Sequence, residues 1–300
     1  NYELKDIGRI LPHEHIFTDL RTSEVEGAGQ ADTEDVVKKM VPFLHDLQRS
    51  GVSVLIECTP EGVGRRPDML KAVSDAADFP LVIATGIYRE PWVPGWAYDY
   101  SAVELADWMT KELTEEIGDI GVKAGFIKVS ANDEEMTAVE GKILRAAARA
   151  SLKTDALIAS HTVKGRVVSA QLEILRQEGV GPDRFVWVHT QAEPDTDKHY
   201  EMAARGVWIE YDGIGWSSDE EYINLITGAI EKGFINNLLI SQDAGWYDPA
   251  KENGGEIKPY DYICSTFLGK LKSAGVSDSE IDIIMHQNPF NAFSRANTPL

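Results

Sequence analysis

The chain has 300 residues, 43% of them apolar, enough to bury a large core in one α/β domain or two small ones. Its 49 acidic and 29 basic side chains leave a formal net charge of −20, which repels nucleic acid and anionic lipid and sets those partners aside. No apolar run approaches a membrane span, and Cys58 and Cys264 lie far apart without CxxC spacing, so they read as free thiols suited to a reducing cytoplasm. The start shows no signal-like pattern; because Asn1 is not an initiator methionine, removal of a leader stays open.

The first predicted strand is "RILPHEHIF" (9–17). The segment "DTEDVVKKMVPFLHDLQRSG" then places Val36, Met40, Phe43 and Leu47 on one helical stripe and stops at Gly51. Strands follow at 52–59, 81–88, 124–131, 156–162, 184–190, 207–213 and 238–244, each a short apolar, β-branched run. Between and after them, Ser101 with Glu104, Thr137 with Glu140, and Ser277 with Glu280 have the spacing of capping boxes at helix starts. Eight strands alternating with helices predict parallel βα units closed into a (β/α)8 TIM barrel, one domain over residues 1–300. The alternative is an open doubly wound sheet, but no GxGxxG follows the first strand and no GxxxxGK[ST] occurs.

In such a barrel the chemistry sits at the C-terminal ends of the strands. There the first strand carries His13 and His15, two apart and so on one face. The fourth carries Lys128 in "GFIKVSA", an apolar run where a buried ammonium group loses its hydration. The fifth ends in His161, the sixth in His189 and the eighth in Asp243, while Glu57 and Asp212 come from the second and seventh. Singly, each has a plain reading: a hydrogen-bonded core histidine, a helix-capping aspartate, a snorkelling lysine. Together, four of the seven histidines fall at equivalent strand ends, and with one carboxylate and one lysine they make a nitrogen- and oxygen-rich metal site. The remaining histidines read as structural or peripheral: His45 on the polar edge of the first helix, His199 on the surface after the sixth strand, His286 near the C-terminus.

These residues resemble the phosphotriesterase-like group of the amidohydrolase superfamily, which includes the phosphotriesterase-like lactonases. The matching pieces are "LPHEHIF", "GVGRRPDML", "IATGIY", "AGFIKVSA", "IASHT", "WVHTQAE", "ISQDAGW" and "NPFNAF", in the family's order along nearly the whole chain. The resemblance implies that Lys128 is carboxylated by carbon dioxide and bridges two divalent metals. By the same pattern His13, His15 and Asp243 hold the more buried metal and His161 and His189 the more exposed one. Zinc is the first expectation, with manganese, cobalt and iron as alternatives. A hydroxide shared by the two metals would then attack an ester carbonyl or a phosphoryl centre, with Asp243 as its proton acceptor.

The implied activity is that of a lactonase acting on acyl-homoserine or aliphatic lactones. Two alternatives remain: a promiscuous phosphotriesterase or aryl esterase, and a metal-binding barrel without turnover. Tyr88 resembles the tyrosine that lactonases place beside the metals, against the plain reading of an aromatic lid. Trp246 and Tyr247, in the long loop after the eighth strand, are candidates to contact an acyl chain. One departure stands out: Gly213 follows Asp212, where organophosphate-degrading members carry histidine and several lactonases arginine. Asp212 then bonds Asp243 or His189 from behind. Glu57 either supports the site or pairs with Arg65 or Arg66, the structural option being preferred. A homodimer is the expected assembly by resemblance.

Overall fold

The computed structural model describes residues 3–295. Eight strands follow one another around a barrel: β1 (Arg9–Phe17), β2 (Val52–Glu57), β3 (Leu81–Thr85), β4 (Phe126–Ser130), β5 (Ile158–His161), β6 (Phe185–Val188), β7 (Trp208–Tyr211) and β8 (Leu238–Ile240). Helices lie between them: α1 (Thr33–Arg49), α2 (Pro67–Ala77), α3 (Gly95–Asp99), α4 (Ala102–Thr114), α5 (Ala138–Thr154), α6 (Gly165–Glu178), α7 (Thr196–Ala204) and α8 (Asp219–Glu231). Neighbouring strands pair in parallel from β1 through to β8.

A short ninth strand, β9 (Gly245–Tyr247), closes the circle by pairing with β1. Since β8 and β9 belong to one continuous stretch, the sheet has no free edge, which excludes the open doubly wound alternative. β1 has its predicted bounds, and β2 to β8 end before their sequence runs do. There the chain leaves the ladder for site loops, as at His189, whose φ of +62° is left-handed.

Local signals hold where they were strong. All three capping boxes form, and Asp32 caps α1 by accepting from the Glu34 amide. The buried stripe of α1 runs through Val36, Met40, Leu44 and Leu47. Phe43, expected on that stripe, is only half-buried, because Leu44 completes the 3.6-residue spacing from Met40 better. No helix among the described residues is long and apolar enough to cross a membrane. Both cysteines are free.

Strand alternation builds two cores. Outward residues such as Ile127, Val129, Ile158 and Trp187 pack against the helices. Inward residues Ile10, Val54, Ile56, Ala84, Phe126, Leu157, Ala159, Val186 and Leu239 fill the lower barrel, with Phe290 and Phe293 packed against them from the C-terminal segment. On β4 the inward column reads Phe126, Lys128, Ser130, so Lys128 stands one layer above the apolar filling and is 2% exposed.

Gly86, just after β3, has φ +112°, and a Cβ there would come within 2.0 Å of the Lys128 carbonyl oxygen. Gly86→Ala is therefore expected to cost about 2–3 kcal/mol or more and to lower the thermal midpoint measured by calorimetry, since neither backbone can yield without moving β4.

Candidate metal centre

The four histidines, Lys128 and Asp243 converge on one cavity of about 90 Å³ inside the barrel mouth. The ring centroids of His13 and His15 are 5.4 Å apart, His13 and His189 5.2 Å, and His161 and His189 4.5 Å. Lys128 Nζ lies 3.4 Å from His13 Nε2, and Asp243 Oδ1 lies 3.2 Å from His15 Nε2. Tyr88 and Trp246 also line the cavity, and the Tyr88 hydroxyl is 3.2 Å from His161 Nδ1.

Each of three imidazoles is held from behind through Nδ1, which leaves Nε2 facing inward. His189 Nδ1 meets Asp212 Oδ1 at 2.7 Å, and its amide donates to Asp212 Oδ2 at 2.9 Å. His13 Nδ1 lies between Glu210 Oε2 (3.1 Å) and Asp212 Oδ2 (3.2 Å). His15 Nδ1 meets the Thr59 hydroxyl at 2.7 Å, and that hydroxyl donates to Glu57 Oε1 at 2.6 Å. Since the Thr59 hydroxyl proton goes to Glu57, its oxygen accepts from His15, which fixes the tautomer with a lone pair on Nε2.

Burial, reinforced by Lys128, lowers His13 to about 3. Burial and the neighbouring His189 push His161 down as well. Neutral imidazoles are the form that ligates cations. Burial and the adjacent Asp212 hold Glu210 well above the carboxylate range, while the contacts of Asp212 with His189 and His13 overcome its burial and hold it low.

Among the described residues, two of the four buried side-chain atoms without a partner belong to residues that line the cavity, and Arg89 Nε and Glu210 Oε1 do not. His161 Nε2 and Asp243 Oδ1 are buried without a hydrogen-bond partner. Among the described residues no carboxylate forms an ion pair with Lys128. Two groups have ligand atoms close enough to share a cation: His13, His15 and Asp243, and His13, His189 and Asp212. An all-nitrogen-and-oxygen set with buried orphan acceptors fits borderline divalent metals. Strain gathers here too, with left-handed φ at His189, Asp243 and Trp246.

Other sequence expectations land elsewhere. Tyr247 stacks on Phe17 at 5.9 Å and does not line the cavity. Glu57 does not pair with Arg65 or Arg66. Arg65 is taken by Glu61 and Glu112, Arg66 by Asp68, and Glu57 supports His15 through Thr59. His199 is fully buried, not superficial, bonded to the Tyr211 hydroxyl and the Glu193 carbonyl; its helix lies against β7, so the imidazole faces the core. His286 reaches Asp282 and the Leu4 carbonyl.

Sequence reasoning missed Thr59, Glu210 and Gln191, whose amide clamps Asp212 from both ends. Glu210 could have been found, because it stands two residues before Asp212 on the same strand face. Thr59 could have been found the same way, two residues after Glu57 at the end of the predicted second strand, whereas Gln191 lies outside the strands and carries no periodic signal. The space beside Gly213 is filled: a Cβ there would meet the Tyr222 hydroxyl at 2.2 Å and Gln191 Nε2 at 3.1 Å.

Asp212→Asn keeps the shape but loses the charge behind both His13 and His189. Chelator competition on the variant is expected to show metal affinity reduced about 10–100-fold.

A sequence model of the phosphotriesterase family matches residues 2–293. The phosphotriesterase homology protein of Escherichia coli is 29% identical over 294 residues, covering 95% of this chain and 98% of that one. The aryldialkylphosphatase of Saccharolobus solfataricus is 27% identical, covering 97% and 96%. A solved structure concerned with organophosphate hydrolysis engineered from a weak promiscuous lactonase superposes with a TM-score of 0.87 at 26% identity, covering 98% of this chain and 97% of that one. That family implies a binuclear divalent metal centre, and the chain belongs to it: it is a hydrolase of the phosphotriesterase family.

Proposed function

We propose that this chain hydrolyses small carboxylic esters, lactones first among them, with two divalent cations held by His13, His15, His161, His189, Asp243 and a carboxylated Lys128. Zinc is the expected metal. The observation that carries the reading is the cavity itself: about 90 Å³, lined by all six of those residues together with Tyr88. The cations and their water would take up much of that space, so a substrate would reach in from the rim with its reacting group alone. Short aliphatic lactones fit better than long-chain acyl-homoserine lactones, whose tail would lie outside along Leu20 and Trp246 at the rim.

Carboxylation of Lys128 accords with its surroundings. A 2%-exposed amine lies among imidazoles with no carboxylate paired to it. Conversion to a carbamate would replace a cation there with a two-oxygen anion. When bound, the cations would supply an activated water and a Lewis acid for the ester oxygen. The protein's own residues do the rest. Asp243, whose Oδ1 lies beside His15 Nε2 on the cavity wall, accepts the proton of the attacking water. The Tyr88 hydroxyl, already beside His161, orients the substrate oxygen. Leu20, Val63 and Trp246 wall the reacting group from bulk water.

The alternative, phosphotriester hydrolysis, is supported by the name of the Saccharolobus relative. Gly213 departs from both patterns alike, because Tyr222 and Gln191 occupy the space that the histidine of the one or the arginine of several lactonases would need.

The test is a substrate series on protein loaded with zinc, manganese or cobalt in bicarbonate buffer. Butyrolactone-sized lactones and phenyl acetate are expected to turn over, with kcat/KM falling as the acyl chain lengthens and with paraoxon poorest. Asp243→Asn is expected to lower kcat by about 10²–10⁴-fold. Absence of turnover on every ester, or a fully active Asp243→Asn, would sink the reading. Metal loading without carbon dioxide is expected to proceed more slowly, read as metal bound against time; equal rates with and without bicarbonate remove the case for a carbamate.

A further inference from the structure

The middle residue of the "HEH" run points away from the cavity, yet Glu14 is fully buried. A residue facing outward from a barrel strand normally meets apolar helix side chains. Glu14 instead meets the backbone of the segment that carries Asp243. Its Oε1 accepts from the Gln242 amide at 3.0 Å and the Ser241 hydroxyl at 2.8 Å, and its Oε2 accepts from the Ala244 amide at 2.6 Å.

This is the seam of the barrel. β8 ends at Ile240 and β9 begins at Gly245, so residues 241–244 lie beside β1 without belonging to a strand. Every amide in the segment can be accounted for. Ser241 donates to the Tyr211 carbonyl, Gln242 and Ala244 to Glu14, and Asp243 to the His13 carbonyl at 3.2 Å. In return the His13 amide donates to Ser241 Oγ, and the His15 amide to the Ala244 carbonyl. Three consecutive amides, 242 to 244, are thus anchored on residues 13 and 14. The outer two are held by the single carboxylate of Glu14, which straddles Asp243.

Asp243 sits between those anchors with φ +48°, a conformation uncommon for a residue bearing a side chain. The extended alternative would swing its carboxylate away from His15. We propose that Glu14 is a positioning residue: by gripping the amides on both sides of Asp243 it holds that residue in its left-handed conformation and aims its carboxylate at the same cavity as His13 and His15. The first strand then supplies two imidazoles and also the clamp that places the carboxylate opposite them. The catalytic part of this inference rests on Asp243 acting as the proton acceptor; the geometric part does not.

Glu14→Gln tests it. The substitution keeps one carbonyl oxygen for Ser241 and Gln242, but turns an NH2 group toward the Ala244 amide, donor against donor. In protein loaded with cobalt alone, the visible d–d absorption is expected to shift and the tightly held cobalt to fall from two towards one per chain. With butyrolactone, kcat is expected to fall about 10–100-fold, the range seen when ligand-supporting residues are lost, while KM changes little. Glu14→Asp keeps the two carboxyl oxygens but reaches only one side of Asp243, and intermediate values are expected; it decides the matter if Glu14→Gln does not fold.

Leu144→Ala, a core truncation on α5 remote from the seam, controls for stability. It should lower the melting temperature and leave cobalt content and spectrum unchanged. If Glu14→Gln behaves like Leu144→Ala, with a lower melting temperature but full cobalt, the wild-type spectrum and wild-type kcat, Glu14 is only a structural staple and the proposal fails. If the wild-type protein hydrolyses no ester, the cobalt content and spectrum still decide the positioning role on their own.

Discussion

A group that a strand points into a closed barrel has no water to turn to. That one constraint organises the molecule from floor to mouth. In the lower layers it is met by apolar filling, with Phe126, Leu157, Val186 and Leu239 packed together. One layer up the inward residues become polar, and each must find a partner inside the protein. Outer nitrogens do so: Asp212 and Glu210 hold His13, Asp212 holds His189, and Thr59 with Glu57 holds His15. The inner faces are less fully served, with His161 Nε2 and Asp243 Oδ1 lacking hydrogen-bond partners beside a small void. The same rule that makes the floor hydrophobic makes the mouth receptive to cations.

Much of this was legible in the sequence, for a stated reason. Period-two alternation is local, so His13, His15, Lys128 and the flanking apolar positions declare their faces without knowledge of the fold. Strand count and order follow from the same pattern, and the capping boxes mark helix starts within three residues. What escaped was set by contacts between distant parts of the chain. Gln191 becomes meaningful only when β6 and β7 bring it over Asp212. Glu14 is conspicuous in "HEH", but its partners lie 227 to 230 residues away. His199 was misplaced because a polar residue at a helix start usually faces solvent, whereas here Tyr211 and the Glu193 carbonyl satisfy both ring nitrogens. The substrate candidates Trp246 and Tyr247 are adjacent in sequence, yet only the first lines the cavity, a distinction that loop composition does not encode.

Backbone strain follows the same geography. Asp78 and Asp155 use left-handed conformations to end helices, a routine device. His189, Asp243 and Trp246 use them at the barrel mouth, where no helix needs stopping. Each is held by hydrogen bonds: His189 donates its amide to Asp212, and the Asp243 carbonyl accepts from the Trp246 indole beside it and from the Trp216 indole across the mouth. Conformations that cost energy persist where the surroundings over-determine them, and here those surroundings are the seam and the β6–β7 junction.

The packing of Phe290 and Phe293 into the barrel floor bears on how the protein is made. The helical turn Asn288–Phe293 packs beneath the cylinder that β1 opens, and Phe293 meets Phe126 edge to face at 5.2 Å. On a ribosome, β1 would wait, unpaired on one side, until residues 245–247 had emerged. Cation loading would then follow synthesis of that segment, and a nascent chain would need its exposed β1 edge shielded in the meantime.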